Sequence, residues 1–140
     1  MTTLKMGLIL TFTLIAGIMV GMISSHISTA DQVPVKQTML IKTDLVGGGG
    51  REANMYVTEI APGVDAGHHY HHAHAFVYVL GGSITIQEPG EPPVTFHAGQ
   101  AFHEPPMKAH DARNASTTVP LKVLIFQAPM KGQPLAEMVK

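Results

Sequence analysis

An all-β fold, a small antiparallel jelly-roll barrel, is predicted by three observations. After residue 35, glycine or proline interrupts the chain every eight to twelve residues, no stretch there keeps a helical period, and turn-forming pairs separate the apolar runs. Strands are expected near Thr38–Thr43, Asn54–Ile60, His69–His71, Phe76–Leu80, Ser83–Gln87, Val94–His97, Gln100–Glu104, Asp111–Asn114 and Leu121–Gln127. Gly81-Gly82 reads as a tight hairpin turn and Pro89-Gly90-Glu91-Pro92-Pro93 as a longer one. The run Gly47–Gly50 is a flexible loop, because it lacks the Lys-Ser/Thr ending that a phosphate-binding loop needs.

Residues 38–128 therefore form the barrel, with a linker over 31–37 around Pro34 and a C-terminal tail over 129–140. The first thirty residues differ in kind. Met6 to Ile23 carry no charge, Lys5 supplies a positive end, and Ser28-Thr29-Ala30 places small residues where a signal peptidase reads. A secretory signal is the leading reading of 1–30. An uncleaved anchor helix is the alternative, since the eighteen-residue run is near the lower limit of a membrane span. Either puts the barrel outside the cytoplasm, as a periplasmic or secreted protein or one anchored in the inner membrane and facing the periplasm. The chain has no cysteine, so its stability rests on a packed core or a metal. Without the leader, Lys plus Arg falls from nine to eight against ten Asp plus Glu, a formal charge of minus two. No basic patch or arginine-aromatic interleaving points to nucleic acid, and membrane contact is expected only through an uncleaved N-terminal segment.

Five of the nine histidines fall within seven positions, His68 to His74. A purification tag would sit at a terminus, whereas this run lies mid-chain before the apolar Phe76–Leu80. Residues two apart on a strand share a face, so His69 and His71 can offer two imidazoles to one ion while His68 and His72 face away. Phe76, Tyr78, Phe96, Phe102 and Phe126 would wall the site, or simply fill the barrel.

The spacing from Gly63 through His69 and His71 to Gly82, followed by Ala98-Gly99-Gln100-Ala101-Phe102-His103-Glu104-Pro105-Pro106, His110 and Asn114, resembles the two motifs of the cupin family in their usual order. The chain is similar to small single-domain bacterial cupins of the conserved-barrel type. That resemblance implies one divalent transition metal (Cu, Zn, Fe, Mn or Ni), on which the distant His110 would close together with His69 and His71, a small-molecule substrate or ligand, and compatibility with a homodimer. The family places a glutamate ligand where this chain has Ala75. His74 reaches the ion only if the strand bulges after His71, because regular alternation turns it to the opposite face. Glu104 is the candidate favoured for this contact and for a catalytic general-base role; its other reading is a rim carboxylate paired with Lys108. Asn114 is more readily a turn residue bonding backbone than part of the chemistry.

Imidazole-rich ligation outside the cytoplasm favours copper or zinc. The expected function is an exported metal-binding cupin, in one version a mononuclear dioxygenase-like oxidoreductase or an isomerase on a small organic substrate. The alternative is a non-catalytic cupin that binds a small ligand or metal.

Overall fold

The computed structural model describes residues 33–140, so the signal-or-anchor expectation for 1–30 lies outside the described residues. Ten strands and no helix occur among the described residues: β1 (Val35–Asp44), β2 (Glu52–Ile60), β3 (Asp65–Tyr70), β4 (Ala75–Gly81), β5 (Ser83–Gln87), β6 (Val94–His97), β7 (Ala101–Glu104), β8 (His110–Asn114), β9 (Leu121–Gln127) and β10 (Glu137–Met138). They pair antiparallel in two five-stranded sheets, ordered β1-β2-β9-β4-β7 and β10-β3-β8-β5-β6.

Alternation puts the core between the sheets. In β4, Ala75, Val77 and Val79 are buried while Phe76, Tyr78 and Leu80 are exposed; in β9, Leu121, Val123 and Ile125 are buried. Ile84 and Ile86 of β5, Ala112 of β8 and Tyr56 and Ile60 of β2 complete one continuous cluster. Each fully buried Val, Leu or Ile contributes roughly 1.5–3 kcal/mol. The β-branched residues also match the extended backbone that carries them.

The aromatic wall expected from the sequence is corrected by this register. Phe76 and Tyr78 are 53% and 44% exposed on the outer face, and Phe126 stacks there on Phe76. Phe102 alternates with Ala101 and His103 and packs against the core, stacked on Phe96 with ring centroids 4.3 Å apart. One run of alternating residues cannot place Phe76 and Val77 on the same side.

The element edges also differ from expectation. β1 starts at Val35, inside the segment read as a linker, because Val35 and Lys36 pair with Ile60 and Glu59 of β2. His71 lies one residue past β3, in the turn before β4. The segment read as a tail carries β10, whose Glu137 and Met138 pair with Tyr70 and His69. Two residues are too few to leave a periodic signal.

Two turns hold the frame. Gly82, between β4 and β5, has φ +75°, and a Cβ there would lie 2.6 Å from the Pro120 carbonyl oxygen, so only glycine fits. Asn114, at the end of β8, donates from Nδ2 to the carbonyls of Ile60 (3.1 Å), Ala61 (3.2 Å) and Val119 (2.9 Å), while its Oδ1 accepts from the Ser116 N–H. It is a buried splice between two loops, β2–β3 and β8–β9.

Replacing Asn114 with alanine leaves buried carbonyls unpaired and is expected to destabilise the protein by about 2–4 kcal/mol. Urea unfolding checks this; a loss below about 0.5 kcal/mol contradicts the structural role.

Candidate functional site

His69 and His110 sit directly opposite each other in the β3–β8 ladder, so their rings emerge on the same face. Their centroids are 4.6 Å apart, and His71 joins at 5.1 Å from His69 and 5.6 Å from His110. One ring nitrogen from each of the three lies within 4.8 Å of the others, and all three residues are buried. The cluster can therefore hold a metal ion.

The backbone orients each ring. Nδ1 of His69 donates to the Gly67 carbonyl (3.0 Å), Nδ1 of His71 to that of Leu135 (2.6 Å) and Nδ1 of His110 to that of Lys108 (3.1 Å). A proton held on Nδ1 leaves the Nε2 lone pair free, which is the form a metal needs. His110 Nε2 is buried and has no aligned hydrogen-bond partner. Buried polar atoms are rarely left that way, and a cation among the three imidazoles would satisfy this one.

Glu104 enters from the other sheet. It is 7% exposed, with Oε2 3.1 Å from His71 Nε2 and Oε1 3.1 Å from His110 Nε2. In the β4–β7 ladder its cross-strand partner is Ala75. Opposed residues of an antiparallel pair point to the same face. The carboxylate thus reaches, from β7, the side of the barrel that a glutamate at position 75 would reach from β4. Lys108 pairs with Glu88 instead, so the rim pairing considered for Glu104 does not form.

His74 is corrected as a ligand candidate. It is exposed, and its Nδ1 lies 2.7 Å from Nε2 of His103, with the two rings stacked on the outer face beside Phe76. The turn at 71–74 returns the chain to β4 with Ala75 inward, which sends its predecessor outward. His68 pairs with Asp111 and His72 with Glu137, both away from the cluster. The contribution of Leu135 was not expected from the sequence, because a main-chain carbonyl has no residue signature.

Electrostatics follow from burial and contact. Burial pushes the His69 imidazole below its ordinary value and so favours the neutral ligand form. For Glu104, burial works upward but is outweighed by the His110 and His71 imidazoles, which hold it down to about 2. For His110, burial works downward and is outweighed by the Glu104 carboxylate, leaving it raised.

The cluster opens on a cavity of about 370 Å³ between the sheets, lined by His69, His71 and Glu104 with Tyr56, Thr58 and Phe102 among its other walls. Its size is at the small end of ligand sites.

The cupin domain family profile matches residues 56–126. No protein of curated function matches the sequence. Among solved structures, a cupin-like protein from Thermotoga maritima is 26% identical with a TM-score of 0.60, covering 75% of each chain. The DMSP lyase DddQ from Ruegeria pomeroyi is 18% identical with a TM-score of 0.62, covering 83% of this chain and 57% of the lyase. The polyketide cyclase RemF from Streptomyces resistomycificus is 20% identical with a TM-score of 0.60, covering 77% of this chain and 72% of the cyclase. At these identities the lyase and the cyclase share the fold alone.

Two outcomes are expected. Elemental analysis of the His69→Ala/His71→Ala double variant should find the bound ion gone. Glu104→Ala should weaken metal binding about 10–100-fold, Ala75→Glu in that background should recover much of the loss, and His74→Ala should leave affinity unchanged. Full affinity in Glu104→Ala, or loss in His74→Ala, contradicts this assignment.

The metal-free protein should also show a pH signature. The lowered Glu104 carboxyl contributes stability that is present above 4.5 and lost as pH falls toward about 2. The raised His110 contributes stability that is present below 6.5 and lost as pH rises through its folded-state value. The stability advantage of wild type over Glu104→Gln in urea should therefore peak between pH 4.5 and 6.5. A difference independent of pH contradicts the pairing.

Proposed function

The chain belongs to the cupin domain family, and on that footing we propose that it is an exported mononuclear metal-dependent oxidoreductase, dioxygenase-like, acting on a small organic molecule held in the barrel. The observation that carries the reading is the convergence of His69, His71 and His110, the first two of which line a largely apolar cavity. Three imidazoles with one carboxylate beside them would hold a divalent transition metal. When bound there, the metal supplies a Lewis-acidic and redox-active centre for substrate and dioxygen. Copper or zinc is the ion proposed for the isolated protein, with copper the redox-competent one.

The residues of the chain carry the remaining tasks. His69, His71 and His110 hold the ion through Nε2, with Nδ1 engaged by backbone. Glu104 stands within hydrogen-bonding reach of two of those nitrogens and, as an ionised carboxylate, is the group available to accept a proton from a bound substrate hydroxyl or water. Val77, Ile84, Val123 and Ile125 exclude water from the far side. Export is proposed from the leader sequence over 1–30.

Copper-loaded protein, screened against phenolic and dicarbonyl compounds in an oxygen electrode, should consume oxygen with at least one of them. Glu104→Gln should lower that rate about 100-fold or more at retained copper content. Turnover that proceeds equally without oxygen would overturn the oxidative reading in favour of a lyase, cyclase or isomerase reaction. Absence of turnover with tight ligand binding would favour a binding protein.

A further inference from the structure

Among the described residues, no lysine or arginine lines the cavity beside the three histidines. The one carboxylate there, Glu104, is committed to His71 and His110. A carboxylate, sulfate or phosphate on the ligand, away from the metal, would find no cation and would meet the negative charge of Glu104 in a medium of low dielectric. A sugar or polyol would bury many hydroxyl groups against Val77, Ile84, Val123 and Ile125, which offer no partners.

Gln37 lines the cavity at its exposed edge, and Thr58 is a buried polar side chain of the wall away from the histidines. Thr58 is 6% exposed, its Oγ1 is buried without a hydrogen-bond partner, and it lines the cavity between Tyr56 and Ile60 on β2. β2 is separated from β7, which carries Glu104, by β9 and β4. Thr58 therefore stands at a part of the cavity wall away from the histidines. Tyr56, two residues before it, accepts at its hydroxyl from Gln127 Nε2 at 2.8 Å, which fixes the oxygen and leaves its proton as a second donor on the same strand. A buried hydroxyl with no partner has lost its hydration without recovering it, a cost that a ligand acceptor would relieve. About 370 Å³ holds roughly a dozen water-sized groups.

We infer that the cavity is built for an uncharged, largely apolar molecule of about a dozen heavy atoms, oxygen-bearing at the histidine end and carrying one hydrogen-bond acceptor at the other, which Thr58 recognises. This rests on the metal reading above and adds the ligand class and a specificity-determining residue.

The test uses zinc-loaded full-length protein and two catechols of equal heavy-atom number, 4-(3,4-dihydroxyphenyl)butan-2-one and 3-(3,4-dihydroxyphenyl)propanoate. They differ in whether the far end is a neutral ketone or a carboxylate. Calorimetry should give at least about tenfold tighter binding of the ketone. Thr58→Val should weaken the ketone about five- to tenfold, and Thr58→Ser should restore it, with zinc content unchanged in both variants. Equal or tighter binding of the carboxylate, absence of binding by either probe, or an unaffected ketone in Thr58→Val overturns the inference while leaving the metal site standing. Wild-type protein that holds no zinc overturns the metal reading and this inference with it.

Discussion

The contact on which the site depends is the Glu104 carboxylate lodged between the imidazoles of His71 and His110. Glu104 belongs to one sheet, and His110 and the strand leading to His71 belong to the other. The contact therefore closes the barrel as well as building the centre. A buried carboxylate with no partner would cost several kcal/mol, so its ionisation is tolerable only because two imidazoles face it. A metal and a proton compete for the same Nε2 atoms. In the metal-free protein the Glu104–His110 pair holds the pocket in shape, and the same groups are oriented for ligation when the proton leaves.

The placement of Glu104 opposite Ala75 shows how a carboxylate absent from one position of a motif can be offered to the same face from a neighbouring strand. Ala75 and Glu104 are neighbours across an antiparallel ladder, so an exchange between them moves the carboxylate by about one inter-strand spacing of 4.8 Å without turning it to another face. His74 is adjacent to Ala75 in sequence and yet lies on the outside with His103. Sequence proximity is the poorer guide whenever the period is two.

That same period explains part of what could be read in advance. Spacing brought His69 and His71 forward as a pair, but His71 approaches His69 from the turn past β3 and not by strand parity, while His74 faces outward because Ala75 opens β4 inward. His110 was legible through the second cupin motif, since a ladder partner 41 positions away has no local signature. Strand interiors such as Ser83–Gln87 and Leu121–Gln127 stood out because each is apolar or alternating between turn formers. The aromatic wall was misjudged because Phe76, Tyr78 and Phe126 look like core residues by composition. Register alone sends them outward, where they leave an apolar outer face on β4 and β9. β10 was illegible for the opposite reason, being too short to carry any pattern.

The C-terminal segment nevertheless bears on the chemistry. The Leu135 carbonyl accepts from His71 Nδ1 at 2.6 Å and from Gln127 Nε2 at 2.9 Å, so both of its lone pairs are engaged. Gln127 is itself fully buried at the end of β9, a central strand of its sheet, and reaches the Tyr56 hydroxyl with the same nitrogen. The orientation of His71, which lies in a turn and lacks a ladder partner, is thus referred to the buried end of a central strand. His69 and His110 need no such device, because each sits on a strand and its ring bonds a carbonyl only two residues away. A metal centre on two strands and one turn keeps its geometry only if the turn is tied down, and here the tie is a backbone carbonyl supplied by the last dozen residues of the chain.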